Sequence, residues 1–182
     1  KGADMLMIAA EPFIKSGRVI LDIIGDGPER AALTALRDSM GLNENVRIDG
    51  WVEHTRLKER LQFAHVFGFP SVREFGGAVV LEAMAMGLVP IVVGYGGPGE
   101  LVTETTGFRV PIANRETVIA GVRKAIQILL EQPNTLKEMS ASARTRVLKH
   151  FTWERKAEQV LGCYDWILGR GERPSYGMPL SD

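Results

Sequence analysis

The chain has a single cysteine, Cys163, so no intrachain disulfide can form, and a reducing, cytoplasmic setting is the simpler expectation. It has no long apolar run. The most hydrophobic stretch, residues 77–94, is broken by Glu82, Gly87 and Pro90, which excludes a membrane span there. It has no excess of either charge. Lys and Arg number 22 and Asp and Glu number 22, without a basic run, so nothing calls for nucleic acid or an anionic membrane surface as partner. No Gly-x-Gly-x-x-Gly follows a strand with an acidic residue about twenty positions on, which makes a dehydrogenase-type dinucleotide site a poor fit. His54, His65 and His150 stand apart from one another, each more in keeping with a surface or core residue than with a metal ligand. The opening Lys1-Gly2-Ala3-Asp4 carries neither an initiator Met nor a secretory pattern and reads as the middle of something longer.

What is present is a foldable chain of one-domain size, 182 residues with 45% hydrophobic side chains, enough for a real core. Apolar spacing predicts a first helix over 3–15, with Gly17 just beyond it. A β-branched run over 19–24 stops at Gly25-Asp26-Gly27-Pro28, and a helix over 29–40 is stopped by Gly41. Short strands are expected at 46–48, 65–69, 90–93 and 108–110, with helices over 55–63 and 77–86. Residues 94–99 read as a flexible glycine loop. Three helical stretches follow, over 116–130, 136–149 and 153–168, and residues 169–182 form a polar tail.

Strands alternating with helices, and apolar on both faces, imply a doubly wound parallel sheet of Rossmann-like type over residues 1–168. In such sheets ligands bind beyond the carboxyl ends of strands. Three loops that follow strands here are glycine-rich, over 25–29, 74–77 and 94–100. The middle one holds Glu74, and Glu82 lies inside the helix opened by Gly76 and Gly77. Two carboxylates and free helix N–H groups around one small volume suit a ligand with hydroxyls at its ends and phosphates between. On spacing alone, a solvated loop carboxylate and a helix-start glutamate favoured by the dipole account for the pair equally well.

The run Pro70-Ser71-x-x-Glu74 to Glu82-Ala83-Met84-Ala85-x-Gly87-x-x-Pro90 resembles the E-x7-E signature of retaining GT-B glycosyltransferases, the family 4 or group 1 type. Gly25-Asp26-Gly27-Pro28-Glu29, Val46-Arg47-Ile48-Asp49-Gly50, Gly96-Gly97-x-x-Glu100 and Phe151-Thr152-Trp153-Glu154 are similar to its further motifs, in the same order. The resemblance covers residues 1–168 and implies the donor-binding C-terminal half of a GT-B fold. It implies a nucleoside-diphosphate sugar, UDP- or GDP-linked, as donor, with no metal or other cofactor required; no Asp-x-Asp occurs, consistent with that. Glu74 would then position the donor sugar and stabilise charge at the reacting centre, and Glu82 would accept from the ribose hydroxyls. Backbone N–H groups around Phe75, Gly76 and Gly77 would bind sugar and phosphates. Gly25 and Gly27 would lie along the nucleotide, and Arg47 and Ile48 would offer backbone groups to the base. Lys1, matching the family's Lys-Gly, would neutralise the diphosphate; without the resemblance, it reads as a frayed terminal lysine.

Two departures stand out. The family pattern Glu-Gly-Phe-Gly is here Glu74-Phe75-Gly76-Gly77, so the loop beside the donor can differ. The strand and arginine expected before Lys1, and the whole acceptor domain, are not in the sequence. A chain opening at Lys1 therefore predicts a gap in the sheet where a first central strand belongs, and a fragment inactive without its N-terminal domain. The expected setting is cytoplasmic, or peripheral at the inner membrane face. Two other readings remain open, a non-catalytic nucleotide-binding module and a GT-B-fold sugar-nucleotide epimerase.

Overall fold

A computed structural model describes residues 1–175. The first helix, α1 (Ala3–Lys15), buries Met7, Ala10 and Ile14, spaced to lie on one face. Gly17, at φ 73°, turns the chain out of it. The N–H of Val19 still donates to Phe13 in that closing turn, so β1 (Leu21–Ile24) starts two residues later than the apolar run suggests. Then come α2 (Arg30–Ser39), β2 (Val46–Asp49), α3 (His54–Leu61), β3 (Val66–Phe69), α4 (Ala78–Ala85) and β4 (Val89–Val93). The chain closes with α5 (Gly96–Leu101), β5 (Phe108–Val110), α6 (Arg115–Glu131), α7 (Pro133–His150) and α8 (Trp153–Ile167).

Every strand pairing is parallel. β1 pairs with β2, Leu21 opposite Val46 through Ile24 opposite Asp49. β4 lies between β3 and β5, with Phe67 opposite Pro90 and Val92 opposite Arg109. All five β4 residues are buried, as a strand covered on both faces requires, and β4 touches helices α4, α5, α6 and α7. The break in the sheet falls where the sequence puts it. Among the described residues β1 ladders only to β2 and β3 only to β4, so each keeps one edge outside any ladder there, while α1 packs on both strands.

Two apolar clusters hold the layers together. The larger joins α1, α6 and the strands through Met7, Ile14, Val46, Val89, Ile91 and Val122. The smaller joins α4, α7 and β4 through Val80, Met84, Val92, Ala143 and Val147. Arg146 is buried beside the smaller cluster, its Nε donating to the Leu101 carbonyl at 3.0 Å. Helix α8 is capped by the Thr152 hydroxyl, which accepts from the Arg155 N–H, and it buries no residue completely. Its half-buried positions include Gln159, Gly162 and Cys163, whereas Trp153, Leu161, Tyr164 and Ile167 face outward. Among the described residues no helix is long and apolar enough to cross a membrane. The final residues of the polar tail, 176–182, lie outside the described residues.

Candidate functional site

The loop after β3 is shaped by glycines at three contact points. Gly2, the residue before α1, has φ 77°, and a Cβ there would stand 2.7 Å from the Pro70 carbonyl oxygen. Only glycine meets both demands, and the close approach sets Lys1 beside the loop that carries Glu74. The Lys1 ammonium donates to Glu74 Oε2 at 2.5 Å and lies 5.7 Å from the centre of the Phe69 ring. Two residues 73 apart in sequence thus meet at the carboxyl end of β3.

The other Glu74 oxygen, Oε1, accepts from the Gly77 N–H at 3.3 Å. Gly77, at φ 71°, is the N-cap of α4 and, being glycine, brings no side chain of its own to cap that helix. Lys1 first, then the Gly77 N–H, hold the Glu74 carboxyl below the usual carboxylate range, with Gly76 N–H adding to them against partial burial. The Glu74 side chain is 19% exposed and that of Lys1 is 63% exposed. An ion pair this open to water adds little to folding stability. Its consequence is geometric: a carboxylate held ionised and aimed across the start of a helix.

Below the loop, α5 supplies support that the sequence reading did not assign. Gly97 donates its N–H to the Phe75 carbonyl at 2.9 Å. A Cβ on Gly96 would stand 2.4 Å from the Glu74 carbonyl oxygen, and one on Gly97 would stand 2.3 Å from that of Phe75. The Gly96-Gly97 pair was visible in sequence as a motif; that its backbone is the floor of the Glu74 loop was not. Phe75 itself is 97% exposed at the loop's tip.

Along α4, Ala78 and Glu82 are exposed one turn apart, while Val80, Ala83 and Met84 are buried. Glu82 therefore rides on the same helix whose N-terminus meets Glu74, on its solvent face. Gly25 and Gly27 lie in the loop that follows β1, and Arg47 and Ile48 lie on β2. The Gly25 N–H donates to the Asp49 and Gly50 carbonyls at 3.2 and 3.1 Å, tying the glycine loop to the end of β2. Arg47 is exposed and sits opposite Asp22, with Ile48 opposite Ile23. An open groove of about 620 Å³ starts at Gly27 and Pro28 and follows α2 past Ala31 and Ala35. Thus the structure brings Lys1, Glu74, Gly76 and Gly77 together, and separately Gly25 with the end of β2. Among the described residues no cluster of His, Cys, Asp or Glu has the geometry of a metal site.

Comparison with known proteins agrees with this architecture. The sequence profile described as "Glycosyl transferases group 1" matches residues 1–146, and the chain belongs to that family. Alpha-D-kanosaminyltransferase of Streptomyces kanamyceticus is 27% identical over 166 residues, 90% of this chain and 42% of that protein. The phosphatidylinositol N-acetylglucosaminyltransferase gpi3 subunit of Schizosaccharomyces pombe is 34% identical over 170 residues, 92% of this chain and 36% of that protein. Among solved structures, Anabaena Alr3699/HepE in complex with UDP superposes with a TM-score of 0.77 at 19% identity, over 91% of this chain and 45% of that one. Sucrose-phosphate synthase from Thermosynechococcus elongatus gives 0.73 at 26% identity, over 92% and 43%. The chain thus spans less than half the length of these relatives, and its fold is the C-terminal, Rossmann-like half of a GT-B architecture.

Proposed function

We propose that this chain is the donor-binding half of a retaining glycosyltransferase, which takes a sugar from a nucleoside diphosphate and passes it to an acceptor held by an N-terminal domain. The observation that carries the reading is the convergence of Lys1, Glu74 and the Gly77 N–H at the start of α4. A diphosphate placed there meets a cation and the positive end of the α4 dipole. That stabilises the charge left on the departing nucleoside diphosphate without a metal ion, a contribution that can reach a few kcal/mol of barrier. Glu74, kept ionised by its partners, faces the positive charge that develops at the anomeric carbon and orients the sugar through a hydroxyl. Glu82, exposed one turn into α4, accepts from the ribose hydroxyls.

The glycine loop at Gly25 and Gly27, bonded to the end of β2, flanks the nucleotide, with backbone groups at Arg47 and Ile48 reading the base. Solved structures of this fold crystallised with UDP, among them Anabaena Alr3699/HepE, support a nucleoside diphosphate as the ligand, and UDP and GDP are the two candidates. On this reading the 182 residues bind donor but do not turn over alone, because the acceptor site lies on the other domain. Calorimetric titration with UDP and with GDP tests it. One nucleotide should bind saturably, and Glu82→Ala should weaken it about tenfold, roughly 1.4 kcal/mol. Failure of both nucleotides to bind the folded chain would overturn the assignment.

A further inference from the structure

Lys1 and Glu74 satisfy each other in the structure, although the reading above gives them different parts of one ligand. Lys1 is meant for the diphosphate and Glu74 for the sugar, yet Nζ and Oε2 stand 2.5 Å apart. A phosphate oxygen at hydrogen-bond distance from the same ammonium brings a second anion close to the carboxylate, and like charges at that range repel. The carboxylate need not leave the site when this happens. Its Oε1 stays tethered to the Gly77 N–H, so the group can pivot about that bond. The backbone beneath it is fixed, because the Gly97 N–H holds the Phe75 carbonyl and Gly96 packs against that of Glu74.

We propose that the Lys1–Glu74 pair is an exchangeable latch: a diphosphate draws Lys1 to itself, and the released Glu74 carboxylate then takes a sugar hydroxyl. The proposal rests on the donor-site reading and adds an order to it, diphosphate before sugar. It also makes binding of the two parts mutually reinforcing, since coupling between ligand parts is reciprocal. The groups around Glu74 are few. Lys1 faces it from the start of α1, the Gly76 and Gly77 N–H groups from the start of α4, and glycine backbone from α5. Arg73 and Tyr95 are its nearest ionisable neighbours along the two loops, and the structure shows no hydrogen bond from either to its carboxylate.

Carbon-13 NMR of the glutamate carboxyls, with Glu74 assigned through Glu74→Gln, tests the latch. The Glu74 titration is followed in the wild type and in Lys1→Ala, each with and without saturating UDP or GDP. Glu74 of the wild type should titrate below the usual range and shift upward when nucleotide binds. Lys1→Ala should raise it without nucleotide, nucleotide should then add much less, and Lys1→Arg should restore the lowered midpoint. An equal upward shift in Lys1→Ala would mean that phosphate charge alone moves Glu74, and would overturn the latch. So would an unmoved midpoint in a chain that calorimetry shows to bind nucleotide. If neither nucleotide binds, the donor-site reading falls and takes the latch with it.

Discussion

The N–H of Gly97 donates to the carbonyl of Phe75 at 2.9 Å, and this bond joins the start of α5 to the loop that carries Glu74. A methyl group on Gly97 would lie 2.3 Å from the Phe75 oxygen and 2.5 Å from the Gly76 oxygen, both backbone atoms that cannot swing aside. Gly97→Ala is therefore expected to push the 74–77 loop outward and weaken nucleotide binding by about tenfold or more, the scale of a lost donor site. Far-UV circular dichroism should stay near wild type. Gly94→Ala is the control, since its Cβ meets nothing closer than 3.6 Å. Calorimetry should find that variant within about twofold of wild type, a difference of roughly 0.4 kcal/mol.

Core and periphery separate in a second experiment. Ile91 is fully buried on the central strand, so Ile91→Ala leaves a cavity as well as lost apolar contact. Urea denaturation should show a loss of about 2–5 kcal/mol. Leu161 is as apolar but 60% exposed on the outer face of α8. Leu161→Ala should change stability by no more than about 0.5 kcal/mol. A large effect at Leu161 would mean that α8 packs on something other than the elements described.

The parallel order of strands and helices was legible because each element carries a local signal. Residues 90–93 read as a buried strand from their side chains alone, one residue short of β4, and Phe108–Val110 matches its expected bounds. Ends were less legible. Helix α7 begins at Pro133, where proline's fixed φ and lost N–H suit a first turn, yet apolar spacing starts only at Leu136. Residues 94–99 read as a flexible loop for good local reason, since Gly-Gly-Pro-Gly has poor helix propensity, yet Gly96–Leu101 form α5, where contacts with the Glu74 loop override that propensity. Glu74 and Glu82 stood out by spacing within one loop and helix. The partnership of Lys1 with Glu74 did not, because 73 residues separate them and only the fold, through the approach of Gly2 to Pro70, closes the distance.

His150 ends α7 in a cationic neighbourhood. Partial burial, then Lys149, Arg146, Lys156 and Arg155, lower its pKa from the ordinary value of 6.5. The folded chain thus prefers neutral imidazole, and the unfolded chain takes up the proton first as pH falls. Stability should decline as pH drops from the unfolded value through the lowered folded one. Proton NMR of the His150 ring should show the low midpoint, and added salt should bring it part of the way back by screening the four cations. In His150→Gln, thermal unfolding should lose that part of its pH dependence.

Glu74→Gln separates binding of the diphosphate from reaction of the sugar. Glutamine keeps the size of the side chain and can still accept from the Gly77 N–H, but it removes the negative charge that engages Lys1. If Lys1 exchanges partners on binding, the substitution frees the ammonium in advance and UDP or GDP should bind more tightly, by about three- to tenfold or roughly 0.6–1.4 kcal/mol. On the proposed function, sugar transfer by a longer protein that joins this chain to an acceptor domain should fall by two or more orders of magnitude, about 2.7 kcal/mol of barrier or above, because no anion then faces the developing charge. A merely structural Glu74 would weaken both together. Opposite signs for nucleotide affinity and turnover, read by calorimetry and by product formation on the same variant, are what the proposed exchange of partners by Lys1 and Glu74 requires.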